Sequence, residues 1–546
     1  MARKRLVTLT ALVTVVSLLM TACGGLTNPG GAAGGPTADE KQVLNMTFRA
    51  EPPTLDSADS TDVTSFNVLN NVMEGLYRLD QDNRPQPAIA SSVDISEDKT
   101  TYTFHLRDAK WSDGKPVTAH DFEYAWKRAL KPETKGEYAH ILFPIKNAEA
   151  YNKGEASAEE VGVEAVDDKT LKVELNGPIP YFLSKTAFAT YMPQRKDIVE
   201  KHGKQYASDP DKMVYNGPFN LEEWKHEQRL TLQKIDTYWD RNSVRLETVH
   251  LHIVKDNSTG VNLYNTEKVD VAELNSALAQ AFRKVPEYLP VTGSAVQYIQ
   301  FNTDSEFFSN ENIRKAVSYA IDREPLIKAL SNGSKAAYGL VPPTIMNSDN
   351  ENFRKQVGDG HQYNPAEAKR LFKKGMKELG VSEPPSDLTL LSYEDHRKEA
   401  AVVIKEQLKT NLGLDIKIDP QPFEQKLDRE SNGEFEMTFA GWMADYNDPM
   451  SYLDMFLSDN PFNRGDWSNK DYDELIEKAK KNSDYKKRAK QLVEAEKILH
   501  DEVPIAPLYY AGKVFLQKKY VKDLVRHPVG AEISQTWAYL DGKEDQ

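Results

Sequence analysis

A strand–helix–strand pattern between residues 388 and 442 constrains the fold of this chain more than any other feature. Apolar periodicity predicts, in chain order, a strand at 388–393, a helix at 396–412, a strand at 414–418, a helical segment at 423–430 and a strand at 435–442. The first helix places Ala401, Ile404 and Leu408 on one face, and Gly413 supplies its C-terminal cap. Strands that alternate with helices pair in parallel through right-handed crossovers. The pattern therefore predicts an α/β protein.

Polar residues come directly after two of these predicted strands. His396 and Arg397 follow the strand at 388–393, and Asp445 follows the strand at 435–442. In open α/β sheets, ligands bind outside the carboxyl ends of the strands. These residues are therefore candidate ligand contacts, although an aspartate in this position also fits a surface or helix-capping role.

The rest of the body also mixes strands and helices. Residues 101–107 alternate as a half-buried strand. Thr118 begins a helix in which Asp121 completes a variant of the capping box. A further helix carries apolar residues at 313, 316, 317, 320 and 321.

The N-terminus carries a charge-free hydrophobic run that ends close to the only cysteine of the chain. Residues 6–20 follow three basic residues and are too short to span a bilayer, which is typical of a signal-peptide core. Small residues flank Cys23, and the segment resembles the lipobox of bacterial lipoproteins, with Met20 where leucine is more usual. The resemblance implies a signal peptide at 1–22, lipidation of Cys23 and a flexible glycine-rich tether at 23–42. The alternative is an ordinary secreted protein with a free thiol.

Composition excludes some partners and some sources of stability. The chain has 546 residues, one cysteine and a formal net charge of −14. With Cys23 lipidated, no cysteine is left for a disulfide, so apolar cores must stabilise the body. No second apolar run is long enough to cross a bilayer. Because nucleic acid requires a cationic surface, we expect no nucleic-acid partner.

Motifs for catalysis, phosphate binding and metal binding are absent from the sequence. No G-x-S-x-G, G-x-x-x-x-G-K or H-E-x-x-H pattern occurs. His250 and His252 share a strand face but lack a third ligand. Residues 80–83 lack the glycine and distal glutamate of a calcium loop, so a hairpin turn is the better interpretation. We expect no enzymatic activity, no metal site and no cofactor.

Five segments together resemble one protein family. Residues 440–449 read AGWMADYNDP, residues 110–122 read KWSDGKPVTAHDF, and shorter matches occur at 216–219, 238–240 and 312–316. They resemble the oligopeptide-binding proteins of bacterial ABC importers, which are family 5 extracellular solute-binding proteins. The matching segments extend over essentially all of residues 43–540.

The resemblance implies an enlarged two-lobed α/β fold of the periplasmic-binding-protein kind (type II). An extra α+β domain is added to it, and two or more crossover strands form a hinge between the lobes. The implied domains are a discontinuous lobe I at 43–72, 191–297 and 511–546, the extra domain at 73–190 and lobe II at 298–510.

The resemblance also implies how a peptide would be held. Asp445 matches an aspartate that pairs with the peptide α-ammonium group, since a charged amine enclosed between lobes needs an anionic partner. Gly441, Met443 and Val63 match positions whose backbone pairs with the peptide as with an added strand.

Other matching positions are aromatic or cationic. Tyr138 and Tyr298 match residues that border the peptide, and Trp442 is a candidate pocket residue; all three also fit core positions. His396 and Arg397 match a site for the peptide C-terminal carboxylate. The arginine that precedes A-G-W in some relatives is missing at 438–439, which leaves the preferred peptide length open.

The implied function is peptide capture for import. The protein would be a monomeric receptor, held at the extracytoplasmic face of the cell membrane through Cys23, that delivers short peptides to the membrane subunits of an ABC permease. Three alternatives remain: a receptor for one signalling peptide such as a pheromone, a family member that binds nickel, haem or a sugar, and an unrecognised extracellular hydrolase.

Overall fold

The computed structural model of the protein describes residues 42–349, 351–394, 397–444 and 446–543. The predicted signal peptide and almost all of the predicted tether, with Cys23, lie outside the described residues, as do His396 and Asp445. The described residues form one compact unit. Among the described helices, none combines the length and the apolar character needed to span a bilayer.

The described residues form strands and helices along the whole body. The strands are β1 (Val43–Phe48), β2 (Tyr77–Leu79), β3 (Pro85–Pro87), β4 (Ala90–Ile95), β5 (Thr101–Leu106), β6 (Val163–Asp167), β7 (Thr170–Glu174), β8 (Phe219–Lys225), β9 (Arg229–Lys234), β10 (Thr248–Ile253), β11 (Val271–Leu274), β12 (Tyr288–Phe301), β13 (Lys335–Ala336), β14 (Thr389–Tyr393), β15 (Lys417–Gln421), β16 (Met437–Trp442), β17 (Ile505–Gln517), β18 (Val521–Lys522), β19 (Val525–Arg526), β20 (Ile533–Ser534) and β21 (Tyr539–Leu540). The α-helices are α1 (Val63–Val72), α2 (Ala119–Leu130), α3 (Ala148–Asn152), α4 (Phe182–Lys185), α5 (Lys196–His202), α6 (Asn257–Asn265), α7 (Ser276–Phe282), α8 (Glu311–Ala320), α9 (Arg323–Leu330), α10 (Phe353–Val357), α11 (Pro365–Leu379), α12 (Lys398–Leu412), α13 (Phe423–Ser431), α14 (Met450–Leu453), α15 (Lys470–Lys480) and α16 (Tyr485–Glu502).

One sheet runs through both halves of the body. Its order is β15-β14-β16-β12-β17-β11-β1-β10-β9-β8, with β13 added to β17. β14 pairs in parallel with both β15 and β16, as the strand–helix–strand pattern predicts. This half of the sheet is covered by apolar side chains on both faces: Ile299 and Phe439 belong to one core, and Val296 and Ala440 belong to another. Burial of both faces explains its apolar strands.

Two long antiparallel strands, β12 and β17, connect the two halves of the sheet. The first part of β12 pairs with the last part of β17, next to β11, and the second part of β12 lies next to β16. The register shifts between Thr292 and Val296, so residues 293–295 bulge out of the ladder. Both strands therefore belong to each half of the sheet, and the bulge lies where one half adjoins the other.

A separate antiparallel sheet, β4-β5-β7-β6, packs against α2. The predicted strand at 101–107 is β5, with Tyr102, Phe104 and Leu106 buried. The predicted cap of α2 is confirmed, since the Asp121 carboxylate accepts the Thr118 N–H at 2.9 Å. Residues 80–83 form the predicted hairpin turn, here between β2 and β3.

One predicted boundary is wrong. The strand expected at 414–418 begins only at Lys417, whose N–H donates to Leu388 O at 2.8 Å. Leu414 and Ile416 are buried before the ladder begins. Their alternation therefore reflects the packing of a connecting segment and not strand pairing.

Candidate functional site

Two adjoining cavities lie beside the segment that follows β16. The first, the α1 cavity, is lined by α1, α4 and Tyr446, and its empty volume is about 590 Å³ with the space open to solvent included. The second, the hinge cavity, is lined by β12, β17, the β19–β20 hairpin and Met443, and its empty volume on the same measure is about 620 Å³. His527 lines both cavities. Because these cavities lie where the two halves of the sheet meet, they form the candidate site.

The end of β16 has one free edge. β12 pairs with β16 over Met437–Trp442, but β14 pairs only with Met437 and Thr438. Among the described strands, none pairs with residues 439–442 on the β14 side. Phe439 and Ala440 are buried, whereas Gly441 and Trp442 are half-buried, so the end of β16 is the part that can accept an extended chain as an additional strand.

Gly441 is packed against its partner in β12, Gln297. A Cβ at Gly441 would lie 2.2 Å from Nε2 of Gln297. The Oε1 atom of Gln297 is buried and accepts no hydrogen bond from the described residues. A side chain at position 441 would therefore displace the end of the Gln297 side chain, whose buried carbonyl oxygen lies beside this position.

The two residues that follow Gly441 differ in exposure. Trp442 is half-buried: its Nε1 donates to Ser451 O at 2.7 Å, and its ring meets Phe462 edge to face at 5.0 Å. Met443 is 55% exposed and lies at the edge of the hinge cavity. Met443 is therefore accessible to a ligand.

The residues after position 445 are held from several sides. The Tyr446 ring stacks on Tyr181, the residue before α4, at 4.2 Å between centroids. Asn447 donates to Asn83 O at 3.0 Å. Asp448 accepts two hydrogen bonds of 2.9 Å from Arg488, and both side chains are almost fully buried. These contacts order residues 446–448 in the described structure.

α1 fixes the position of the β19–β20 hairpin. The side-chain oxygen of Asn67 accepts the N–H groups of Glu532 and Ile533, and that of Asn71 accepts the N–H of Gln535. The hairpin carries His527 between its strands, and burial lowers the pKa of His527 to about 4. The imidazole of His527, which lines both cavities, is therefore neutral at ordinary pH.

Three sequence candidates lie away from the cavity walls. Val63 is the first residue of α1, which Asp62 caps. Tyr138 packs on Phe66 and Phe188, which themselves line the α1 cavity. Tyr298 is 3% exposed within a core.

Arg397 lies in a group of cations that sequence reasoning largely missed. Its guanidinium carbon is 3.1 Å from the centroid of the Tyr393 ring, and Nζ of Lys426 is 4.2 Å from the same centroid. Lys426 and Arg464 both pair with Glu430, which also accepts the Thr438 hydroxyl at 2.5 Å. Burial lowers the pKa of Lys426 to about 8.

The cations around Glu430 lie beside Thr438 of β16, in the stretch where some relatives have an arginine that this sequence lacks. The group combines residues of α13, of β16 and of the segment that contains Arg464. Because these segments are far apart in the sequence, neither residue spacing nor a local motif predicts the group.

The two histidines that share a strand face, His250 and His252, contact residues of neighbouring strands. His250 contacts the Thr231 hydroxyl at 3.1 Å, and His252 contacts Asn45 Oδ1 at 3.3 Å. Within the described ranges, no group of three or more histidine, cysteine, aspartate or glutamate side chains is arranged to hold a metal ion.

The sequence and the fold are similar to those of known proteins. A family model for the bacterial extracellular solute-binding proteins, family 5 Middle, matches residues 84–464. The chain belongs to this family. It is 38% identical over 504 residues to the dipeptide-binding protein DppE of Bacillus subtilis, with 92% of each chain covered.

Two solved structures of family members confirm the two-lobed α/β fold. OppA of Listeria monocytogenes bound to peptide is 39% identical, with 92% of this chain and 99% of that chain covered and a TM-score of 0.68. The unliganded open form of the murein tripeptide-binding protein MppA is only 28% identical, yet with 93% and 98% covered it gives a TM-score of 0.82. The described arrangement is therefore more similar to an open family member than to a peptide-bound one.

Proposed function

We propose that this chain captures short peptides between its two lobes at the outer face of the cell membrane and delivers them to an ABC-type permease. The observation that carries the proposal is the unpaired end of β16 at Gly441 and Trp442, which lies beside two cavities at the junction of the lobes. Relatives named for dipeptide and oligopeptide binding support it.

The peptide backbone would pair with this edge as an added strand. Main-chain hydrogen bonds are independent of sequence, so this mode suits a receptor for many peptides. Gln297 Oε1 and the backbone at Gly441 and Met443 are available for it. Asp445 would hold the peptide α-ammonium group. Ligand side chains would enter the two cavities, where water can adapt the hydrogen bonding.

Capture would proceed by closure of the lobes about β12 and β17. Lobe I would comprise 43–72, 191–297 and 511–546, the extra domain 73–190, and lobe II 298–510. Similarity to an open, unliganded relative supports a structure that is ready to accept a ligand.

Cys23 would carry the lipid anchor. Two or more acyl chains hold a protein stably at a membrane, whereas one chain alone does not. The glycine-rich tether would keep the receptor close to its permease and raise its effective concentration there. Intact-mass analysis of membrane-extracted protein tests this, because a mature chain without lipid on Cys23 would contradict the anchor.

Native mass spectrometry of the protein purified without denaturation tests the ligand class. A mixture of co-purifying short peptides supports general import. A single peptide indicates a signalling receptor, and nickel, haem or a sugar as the bound ligand would contradict peptide capture. Calorimetric titration of the ligand-free protein with tripeptides then measures affinity directly.

A further inference from the structure

The hinge cavity is built mainly from apolar groups and contains one cation that lacks an acidic partner. Its walls include residues 291–295 of β12, which contain the bulge, together with Phe515 of β17 and Ile533 of β20, with Met443 at its edge. Apolar walls keep the local dielectric low, so a charge in this cavity interacts more strongly than one on the surface.

The cation is Arg526, which has no acidic partner among the described residues. Its guanidinium carbon lies 4.5 Å from the centroid of the Phe515 ring, and its Nη2 donates to Gln517 Oε1 at 2.9 Å. Its Nε is buried and has no acceptor. Burial lowers its pKa to about 10, so the group is still charged at neutral pH.

The acidic side chain that lines this cavity is already neutralised. Both carboxylate oxygens of Glu532 accept hydrogen bonds from Lys513, at 2.7 and 2.5 Å. Glu532 therefore does not compensate the charge of Arg526, and its ion pair closes part of the cavity rim.

A second donor in the cavity wall is also unsatisfied. Ser294, in the bulge of β12, is 1% exposed, and its hydroxyl has no hydrogen-bond partner in the described structure. Its backbone oxygen is occupied by the Tyr452 hydroxyl at 2.5 Å. A buried donor without a partner is destabilising, and more so when the donor is charged.

We infer that the hinge cavity is a subsite for a carboxylate group of the bound ligand. Arg526 pairs with this carboxylate through charge-assisted hydrogen bonds, the Ser294 hydroxyl donates to it, and the apolar walls contact the ligand methylenes. The inference rests on the proposed function and adds a selectivity to it: peptides that place a carboxylate here bind more tightly than their amide isosteres. The carboxylate comes from an acidic side chain or from the peptide C-terminus.

Calorimetry with matched tripeptides tests this selectivity. Glutamate and glutamine are compared at each position, and each peptide is made with a free and with an amidated C-terminus. We expect one of these acid–amide pairs to differ by about tenfold or more in affinity for the unmutated protein, the scale of a buried charge pair. A side-chain pair identifies a Glu-selective pocket, and the C-terminal pair identifies a terminus site.

In the Arg526→Gln variant, the affinities of the acid and amide peptides of that pair should differ by no more than about twofold, and the affinity for the amide peptide should be unchanged. Ser294→Ala should reduce this acid–amide affinity ratio in part. Arg370→Gln is the matched control, since Arg370 is an exposed arginine of α11 paired with Glu367, and it should keep the full ratio.

The possible failures are distinguishable. If no tripeptide binds the unmutated protein, the proposed function fails, and the inference fails with it. If tripeptides bind but every acid–amide pair has equal affinity, or the preference persists in Arg526→Gln, only the carboxylate subsite is overturned. If Arg526→Gln does not fold, the ratio in the unmutated protein and its change in Ser294→Ala decide.

Discussion

The ring of Tyr446 stacks on the ring of Tyr181, with centroids 4.2 Å apart and ring planes 10° apart. Tyr181 comes from the segment before α4, and Tyr446, which directly follows Asp445 in the sequence, lines the α1 cavity. Nζ of Lys185 lies 4.8 Å from the Tyr446 centroid, and burial raises the pKa of Tyr181 to about 12. The segment proposed as the extra domain therefore contacts the residues that follow the proposed amine anchor.

Removing this stack should weaken peptide binding. An aromatic pair contributes about 0.5–1.5 kcal/mol beyond its buried area, so Tyr181→Ala should lower peptide affinity by about 2- to 10-fold as the cleft segment loosens. Tyr181→Phe keeps the stacking and should bind within about twofold of the unmutated protein. Tyr363→Ala removes an exposed tyrosine and serves as the control in the same calorimetric titrations. Equal affinities for Tyr181→Ala and the unmutated protein would contradict a positioning role.

The amine-anchor role of Asp445 predicts a specific loss. Asp445→Ala should weaken binding of free-amine peptides by about 100-fold, because a desolvated ammonium group would lose its partner. N-acetylated peptides should bind poorly to the unmutated protein and should be little affected by the substitution. Asp459→Ala, at an exposed aspartate, is the matched control. Calorimetry of these combinations checks the prediction, and unchanged affinity of Asp445→Ala for free-amine peptides would refute the role.

The pair Asp448–Arg488 predicts a stability effect. Its side chains are 3% and 1% exposed and share two hydrogen bonds of 2.9 Å. Arg488→Met leaves a buried carboxylate unpaired and should lower the free energy of unfolding by about 3–5 kcal/mol. The double variant Asp448→Asn with Arg488→Met should recover part of this loss, as urea denaturation would measure. A double variant less stable than Arg488→Met would show that the burial of an unpaired charge is not the cause.

His527 predicts a pH dependence of stability. Burial lowers its pKa to about 4, which the charge of Asp80 opposes, while an unfolded histidine titrates near 6.5. Nδ1–H donates to Asn83 Oδ1 at 2.7 Å. Between these values the unfolded chain binds the proton and the folded chain does not. The contribution of His527 to the free energy of unfolding is therefore complete above pH 6.5. It is lost as the pH falls towards 4, by up to about 3 kcal/mol.

Urea midpoints measured between pH 7.5 and 4.5 check this dependence. His527→Gln should show a shallower loss of stability than the unmutated protein. Burial also lowers the pKa of His361 to about 4, so part of the dependence should remain in the variant. Identical pH profiles for both proteins would rule out a contribution from His527.

Local patterns predicted the elements well. β14, α12 and β16 lie close to their predicted positions, and Gly413 adopts the left-handed conformation, with φ of 71°, that ends α12. Helix periodicity and caps depend on neighbours a few residues away, so a single sequence contains the information. The boundary of β15 was wrong because burial of Leu414 and Ile416 produces the same alternation as a paired strand.

The site could be predicted only where a motif spans it. The motif at 440–449 led to Gly441, Trp442 and Met443, which end β16 or follow it at the cleft. Lys426 and Arg464 were missed because their common partner, Glu430, is found only when α13 packs beside β16. The structure places Gly441, Trp442 and Met443 at the end of β16, but their roles in peptide binding stay predictions, as do those of the other candidates: Val63, Tyr138, Tyr298, Arg397, His396 and Asp445.

By itself, the sequence determined the α/β class, the parallel strands around β14 and the family to which the chain is related, since these follow from short-range periodicity and contiguous motifs. Only the tertiary structure decided which polar and charged groups are enclosed without a full set of hydrogen-bond partners. Arg526 and Ser294 are far apart in sequence and are ordinary surface-compatible residues until β12 and the β19–β20 hairpin enclose them in one cavity. Loss of water is what makes an unpaired donor costly, and loss of water is a property of packing in three dimensions.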